Sequence, residues 1–218
     1  MKLYIIDVAM LEDPRERIAW KEKMVDGRWE RVVRYPSLED RQTGAGAGLL
    51  LRYAFEKEGI PFSGDSFYVG THGKPYHNKL CFNISHSGRY VICVTGKENV
   101  GCDIQKIKPP HSRMMNRFFS DWEREYVNSA DDSKKGEYYT RIWTLKESYL
   151  KMTGDGLTRK LSDISFKIGD RIQVFENQRE KEIHFSEHKM KDYIVMVCGK
   201  ESELMVEYVK CHAIDNCF

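Results

Sequence analysis

The chain has 218 residues, a formal net charge of +2 and 31% charged residues. That length suits one large domain or two small ones with a self-sufficient hydrophobic core. The near-neutral charge, with no array of basic residues, argues against a nucleic-acid-binding module, and no apolar run is long enough for a membrane span.

In chain order, residues 2–9 form a predicted strand of β-branched and aromatic side chains. Asp13-Pro14 opens a helical stretch that runs to Trp20. Residues 26–35 carry Arg28, Arg31 and Arg34 among aromatics and valines. A helix is predicted over 49–58, with Leu49, Leu50, Tyr53 and Ala54 on one face, and Gly59-Ile60-Pro61 ends it. Residues 66–69 read as a short strand and 71–75 as a Gly- and Pro-bearing turn. Three strands follow at 81–84, 90–95 and 100–104. Beyond Pro109-Pro110 the pattern turns helical, first over 112–119. Ser120 and Glu123 then form the Ser-x-x-Glu capping box of a second helix. A polar loop over 128–135 leads to the longest helix, 136–152, and residues 163–208 return to strands. Mixed helices and strands with connections suited to antiparallel sheets give an α+β fold. Pro109-Pro110 divides it into an N-terminal half, 1–108, and a C-terminal half, 109–218.

Three segments carry chemistry. In Phe82-Asn83-Ile84-Ser85-His86-Ser87-Gly88 an apolar strand runs into hydroxyls, an imidazole and backbone N–H groups able to nest an anion; taken alone it reads first as a polar hairpin turn. In Val100-Gly101-Cys102-Asp103-Ile104-Gln105, Asp103 and Gln105 share one face of a strand and present oxygens to a hard cation; one carboxylate alone makes a poor metal site. In Trp143-Thr144-Leu145-Lys146-Glu147-Ser148-Tyr149-Leu150-Lys151, Glu147 and Lys151 are i, i+4 neighbours beside an apolar stripe, and alone they read as a surface ion pair. Together the segments supply a metal site, a cation and anion-binding groups, the set that phosphoryl-group chemistry needs.

Five ordered motifs then resemble the surfactin-synthetase-activating (Sfp-type) 4′-phosphopantetheinyl transferases. They are Gly73-Lys74-Pro75, Asn83-Ile84-Ser85-His86-Ser87, Val100-Gly101-Cys102-Asp103-Ile104, Arg117-Phe118-Phe119-Ser120, and Trp143-x-x-Lys146-Glu147-Ser148-x-x-Lys151; Gly154-x-Gly156-Leu157 closes the series. The match spans roughly the middle 85 residues, and its specificity lies in the order and spacing. The resemblance implies two similar α+β halves packed as a pseudo-dimer in one chain, with coenzyme A in the cleft between them. It implies transfer of the phosphopantetheine of coenzyme A to a serine of an apo acyl or peptidyl carrier protein, with Mg²⁺ and with release of adenosine 3′,5′-bisphosphate. By the same resemblance Asp103 and Glu147 are metal ligands and Lys151 meets the pyrophosphate. Lys74, Ser85 and His86 hold the nucleotide end, including the 3′-phosphate, and Glu123 lies near the metal. Arg31, Arg41 and Thr43 come from a basic region that aligns only with a gap. Gln105 stands where many members have Glu, which implies weaker metal affinity. The base that takes the serine proton is Glu147, Glu123 or a metal-bound water. Met114, Met115 and Phe118 are candidates for carrier docking, or equally for core. A monomer is expected, since the two halves complete the cleft.

Other signals are set aside. Gly44-Ala45-Gly46-Ala47-Gly48 lacks the strand and spacing of a phosphate loop and reads as tight helix packing. His184 and His188 fall in a strand-like stretch with no third ligand, and Cys211, His212 and Cys217 lack a zinc pattern. The cysteines sit largely in apolar runs without C-x-x-C pairs, and the N-terminal apolar run is too short for a signal peptide, so a cytoplasmic protein with reduced thiols is expected. The rival functions are a non-catalytic binder of coenzyme A or carrier proteins, to which Gln105 points, and an unrelated Mg²⁺-dependent nucleotide hydrolase.

Overall fold

The computed structural model describes residues 1–63, 66–156 and 161–215. In chain order the elements are β1 (Lys2–Asp7), α1 (Arg28–Val32), α2 (Leu38–Lys57), β2 (Phe67–Val69), β3 (Pro75–His77), β4 (Cys81–Ser87), β5 (Tyr90–Gly96) and β6 (Gly101–Lys106). They continue with α3 (Ser112–Phe118), α4 (Asp121–Asn128), α5 (Lys135–Thr153), β7 (Ile164–Ile168), β8 (Ile172–Glu176), β9 (Arg179–Lys181), β10 (His184–Met190), β11 (Tyr193–Gly199), β12 (Met205–Val209) and α6 (Cys211–Asp215). The fold is α+β, as the residue pattern predicts. Leu157, the last residue of the closing motif, and Cys217 lie outside the described residues.

Two compact units emerge. One joins Met1–Lys97 to Leu204–Phe218, and the other is Glu98–Glu203. The division therefore differs from a single cut after residue 108. Strand pairing accounts for the difference: β6 pairs antiparallel with β11, whereas β12 returns to lie parallel to β1. That pair is parallel, whereas the other strand pairs described are antiparallel.

In the first unit the sheet order is β12-β1-β5-β4. Helix α2 lies over it, and Tyr4, Ile6, Leu50, Ala54, Phe55, Val91 and Cys93 form part of one buried cluster. Ser37 caps α2 by accepting a hydrogen bond from Asp40 N at 3.0 Å, with Glu39 and Asp40 favourably placed in the positive first turn. The helix thus begins eleven residues before the predicted start. Its glycines make room: a Cβ on Gly46 would lie 2.4 Å from Val8 Cγ1, and one on Gly48 would lie 2.9 Å from Arg28 Cδ. This close packing is the reading given to the glycine run above. The predicted helix after Asp13-Pro14 forms as two short 3-10 segments, Pro14–Glu16 and Ile18–Lys23.

In the second unit one sheet has the order β10-β11-β6 and another β7-β8-β9. Helix α5 packs on the first through Ile142, Leu145, Tyr149 and Met152 against Ile194, Met196 and Cys198. Among the described residues no helix is long and apolar enough to cross a membrane. Five described cysteines are free thiols, with Cys93, Cys102 and Cys198 buried.

Candidate active site

In the second unit, the close approach of α5 to β6 assembles the charged residues. Gly101 permits it: a Cβ there would lie 2.1 Å from the Ser148 carbonyl oxygen and 2.6 Å from Met152 N. Side chains two residues apart on a strand share a face, so Gly101, Asp103 and Gln105 all face α5. Helix α5 presents Glu147 and Lys151 from consecutive turns.

Lys151 Nζ lies 2.6 Å from Asp103 Oδ1, and Gln105 Nε2 donates to Asp103 Oδ2 at 2.9 Å. The sequence pattern suggests an ion pair within α5, but Lys151 reaches across to β6 instead. The Asp103 side chain is 2% exposed and that of Lys151 30%, so the ammonium keeps a face toward solvent while the carboxylate does not. No hydrogen bond or ion pair to the Glu147 carboxylate is found among the described residues. Burial pushes its carboxyl pKa up, the nearby Asp103 charge pushes it further, and Lys151 opposes both.

This donor set fits a hard divalent ion. It offers two carboxylates, one of them destabilised by the other, and the Gln105 carbonyl, whose amide donor is already used. Among the described residues no group of three or more His, Cys, Asp and Glu could hold a metal. Mg²⁺ does not need one, because it takes one or two protein carboxylates and completes its shell with water and substrate phosphate.

Glu123 stands elsewhere. It is fully buried and completes the capping box of α4 by accepting from Ser120 N at 2.8 Å. Its Oε2 lies 2.9 Å from Lys146 Nζ, with neither side chain exposed, and its Oε1 accepts from Phe166 N at 2.9 Å. Lys146 also donates to the Leu161 and Ile164 carbonyls. A carboxylate with no exposed surface and three donors is a strut joining α4, α5 and β7, poorly suited to take a proton from an incoming nucleophile. Burial depresses the Lys146 pKa, and Glu123 counters it.

In the first unit a cavity of about 440 Å³ is lined by Arg28, Tyr35, Glu39, Asp40, Thr43, Gly44, Ala47, His86 and Gly88. Thr43 and His86, both singled out from the sequence, meet here. Arg28, which was not, supplies the cation. Its Nε donates to the Gly44 carbonyl at 3.1 Å, and Gly48 leaves its stem room to cross α2. Burial pushes the Arg28 pKa down, and Arg31 adds to this, so the guanidinium gains from an anion. The sequence signal for Arg28 was its place in the run Arg28, Arg31, Arg34, one turn before the chosen Arg31.

The remaining choices scatter. Arg31 is exposed. Arg41 is 6% exposed, and its guanidinium grips Asp13 through Nε at 2.9 Å and Nη2 at 2.6 Å while Nη1 donates to the Tyr35 and Pro36 carbonyls. Its hydrogen bond holds the Asp13 carboxyl down to about 2. That fork is used up inside the protein. Ser85 is buried on β4 while His86 is exposed, because neighbouring strand residues face opposite ways; Ser85 is not among the cavity lining. Lys74 sits in the β2–β3 turn with its ammonium 5.1 Å from the Tyr76 ring centre. Met114 and Phe118 are half-buried on α3, and Met115 is buried.

The family model for the 4′-phosphopantetheinyl transferase superfamily matches residues 99–198, the stretch that contains Asp103, Glu147 and Lys151. A 4′-phosphopantetheinyl transferase of Bacillus subtilis is 34% identical over 145 residues, covering 65% of this chain and 65% of that protein. The transferase Sfp of Bacillus subtilis strain 168 is 36% identical over 126 residues, 56% of this chain and 54% of its own length. The transferase psf-1 of Bacillus pumilus is 28% identical over 186 residues, covering 80% of this chain and 78% of that one. The chain thus spans less than two thirds of the length of the first two relatives.

Proposed function

We propose that this chain is a 4′-phosphopantetheinyl transferase, which transfers phosphopantetheine from coenzyme A to a carrier-protein serine. The observation that carries the reading is the cluster on β6 and α5: Lys151 2.6 Å from a buried Asp103, with Glu147 one helical turn before Lys151 and its carboxyl pushed up by burial and then by the Asp103 charge.

In this reading the serine oxygen attacks the phosphorus next to pantetheine. The new P–O bond forms as the bond to the bridging pyrophosphate oxygen breaks, and adenosine 3′,5′-bisphosphate leaves with the electron pair. Asp103 and Glu147, with the Gln105 oxygen, would hold Mg²⁺, which supplies charge neutralisation at the phosphate oxygens. Lys151 offers the solvent-facing side of its ammonium to the charge that develops on the leaving oxygen. The serine proton would pass to Glu147 or to a metal-bound water, since Glu123 has no exposed surface. Arg28, Thr43 and His86, with Lys74, bind the phosphate-rich nucleotide end. Positioning and electrostatics supply the rate.

The test is intact-mass spectrometry of an apo carrier protein incubated with coenzyme A and Mg²⁺. The expected result is a gain of one phosphopantetheine that needs Mg²⁺ and falls by on the order of 100-fold or more in Glu147→Ala. Coenzyme A binding with no gain on acyl or peptidyl carriers would refute it in favour of a non-catalytic binder. The reading extends to a monomeric cytoplasmic enzyme, which size-exclusion chromatography and cell fractionation test.

A further inference from the structure

The two motif lysines of α5 are held in opposite ways. Lys146 has no exposed surface, pairs with the equally buried Glu123 at 2.9 Å, and also donates to the Leu161 and Ile164 carbonyls. An ammonium gripped by three acceptors is fixed. Lys151, in the last turn of the same helix, is half-buried and keeps a face to solvent while its Nζ lies 2.6 Å from Asp103 Oδ1. Its four-carbon stem is flexible. The carboxylate it meets is not free to follow: Asp103 is buried on β6, in register with the buried Met196 of β11.

A buried carboxylate deprived of its cation is strongly unfavourable, so a positive charge must stand at Asp103 at every stage. Both of its oxygens are engaged, Oδ1 by Lys151 and Oδ2 by Gln105 Nε2 at 2.9 Å. Gln105 is neutral and adds no charge. The ammonium therefore occupies the group that a divalent ion would need. An ion approaching Asp103 either displaces the ammonium or shares Oδ1 with it, and two cations on one buried oxygen repel with little solvent between them. The cluster offers little in return. Asp103 and Glu147 against Lys151 leave at most one net negative charge, and Mg²⁺ gives up its water reluctantly. The phosphates of coenzyme A bring the missing negative charge and a second place for the ammonium to go.

We propose that Lys151 is an internal stand-in for the metal: it neutralises Asp103 until coenzyme A arrives, then turns its ammonium to the phosphates and releases Oδ1 to the divalent ion. The inference rests on the function proposed above. Its consequence is an order of binding. The ion enters with coenzyme A and not before it, and each raises the affinity of the other by the same factor.

The experiment uses Mn²⁺, a hard divalent ion that shares the octahedral oxygen preference of Mg²⁺. It is titrated into wild type, Lys151→Met, Lys151→Gln and Lys151→Arg, with and without coenzyme A. The free ion is read by electron paramagnetic resonance and corrected for its binding to coenzyme A alone. Without coenzyme A, Lys151→Met and Lys151→Gln should bind the ion about tenfold or more tightly than wild type, and Lys151→Arg within about twofold of it. Coenzyme A should raise the wild-type affinity for the ion about tenfold or more, and that of the two neutral variants by a factor about fivefold smaller. Mn²⁺ alone should also raise the melting temperature of Lys151→Met more than that of wild type, because there the ion replaces a cation that Asp103 has lost. Equal ion affinity in wild type and the neutral variants without coenzyme A overturns the proposal. So does an equal gain with and without coenzyme A, the mark of a repelling charge that stays in place. Carrier loading by wild type under either of those results leaves the functional reading standing. If wild type neither binds coenzyme A nor loads a carrier, both fall.

Discussion

Replacing Gly101 by alanine should damage both stability and turnover, and the structure sets the scale. The added methyl would lie 2.1 Å from the Ser148 carbonyl oxygen, 2.6 Å from Met152 N and 2.8 Å from Met152 Cβ, where ordinary contact begins near 3.4 Å. Two of these are main-chain atoms of α5, so no side-chain rotation relieves the clash. Strand β6 is held opposite by β11, with Gly101 paired to Cys198. The helix must back away by on the order of 1 Å, and overpacking of this kind costs about 1–3 kcal/mol. The same retreat lifts Glu147 and Lys151 off Asp103, and a misplacement of about 1 Å can cost on the order of 100-fold in rate. Urea denaturation reads the first effect and the carrier-loading rate the second. Gly169→Ala is the control, since nothing lies within 4 Å of a Cβ there. A Gly101→Ala protein with an unfolding free energy within about 0.5 kcal/mol of wild type and an unchanged rate would refute the claim that close packing of α5 on β6 builds the site.

Further outcomes follow from other contacts. Lys146→Met strands the buried Glu123 carboxylate and should cost about 3–5 kcal/mol in denaturant unfolding, whereas Lys146→Met with Glu123→Gln should recover much of that loss. Burial pushes the Glu58 carboxyl up, but hydrogen bonds from Lys2, Tyr4 and Thr95 bring it below its ordinary 4.5. A depressed carboxylate stabilises above its unfolded pKa and loses that contribution as pH falls through the folded value, so the wild-type melting temperature should drop below pH 4.5 more steeply than that of Glu58→Gln. Arg28→Ala should weaken coenzyme A binding about tenfold in calorimetry, the loss of a charge-assisted contact, while Arg31→Ala should change it less than about twofold.

Local chemistry was the most legible part of the sequence. The Ser120–Glu123 box forms as its spacing predicts, and period-two facing correctly puts Asp103 and Gln105 on one side of a strand. Three features escaped because tertiary packing decides them. The first half of α2 is rich in glycine, a poor helix former, and is held by contacts with Val8 and Arg28 that no local window contains. Arg41 and Arg28 look alike in sequence, yet Asp13 consumes one and a cavity receives the other. Glu123 and Lys146 carry motif positions, and only burial reveals them as partners in a strut. The division between units was hidden because strand pairing, and not the Pro109-Pro110 hinge, decides which segments cohere.

The parallel register of β12 on β1, from Lys2 opposite Met205 to Ile6 opposite Val209, bears on how the chain comes off the ribosome. Residues 98–203 form contacts within themselves and can consolidate as they emerge. The first unit cannot seal its sheet until the strand beginning at Met205 has been made. Until then β1 waits with one edge open, the condition in which nascent strands find wrong partners. Pairing across some two hundred residues carries a loop-closure cost that a prefolded insert shortens, so the order of synthesis matches the order in which the fold can close.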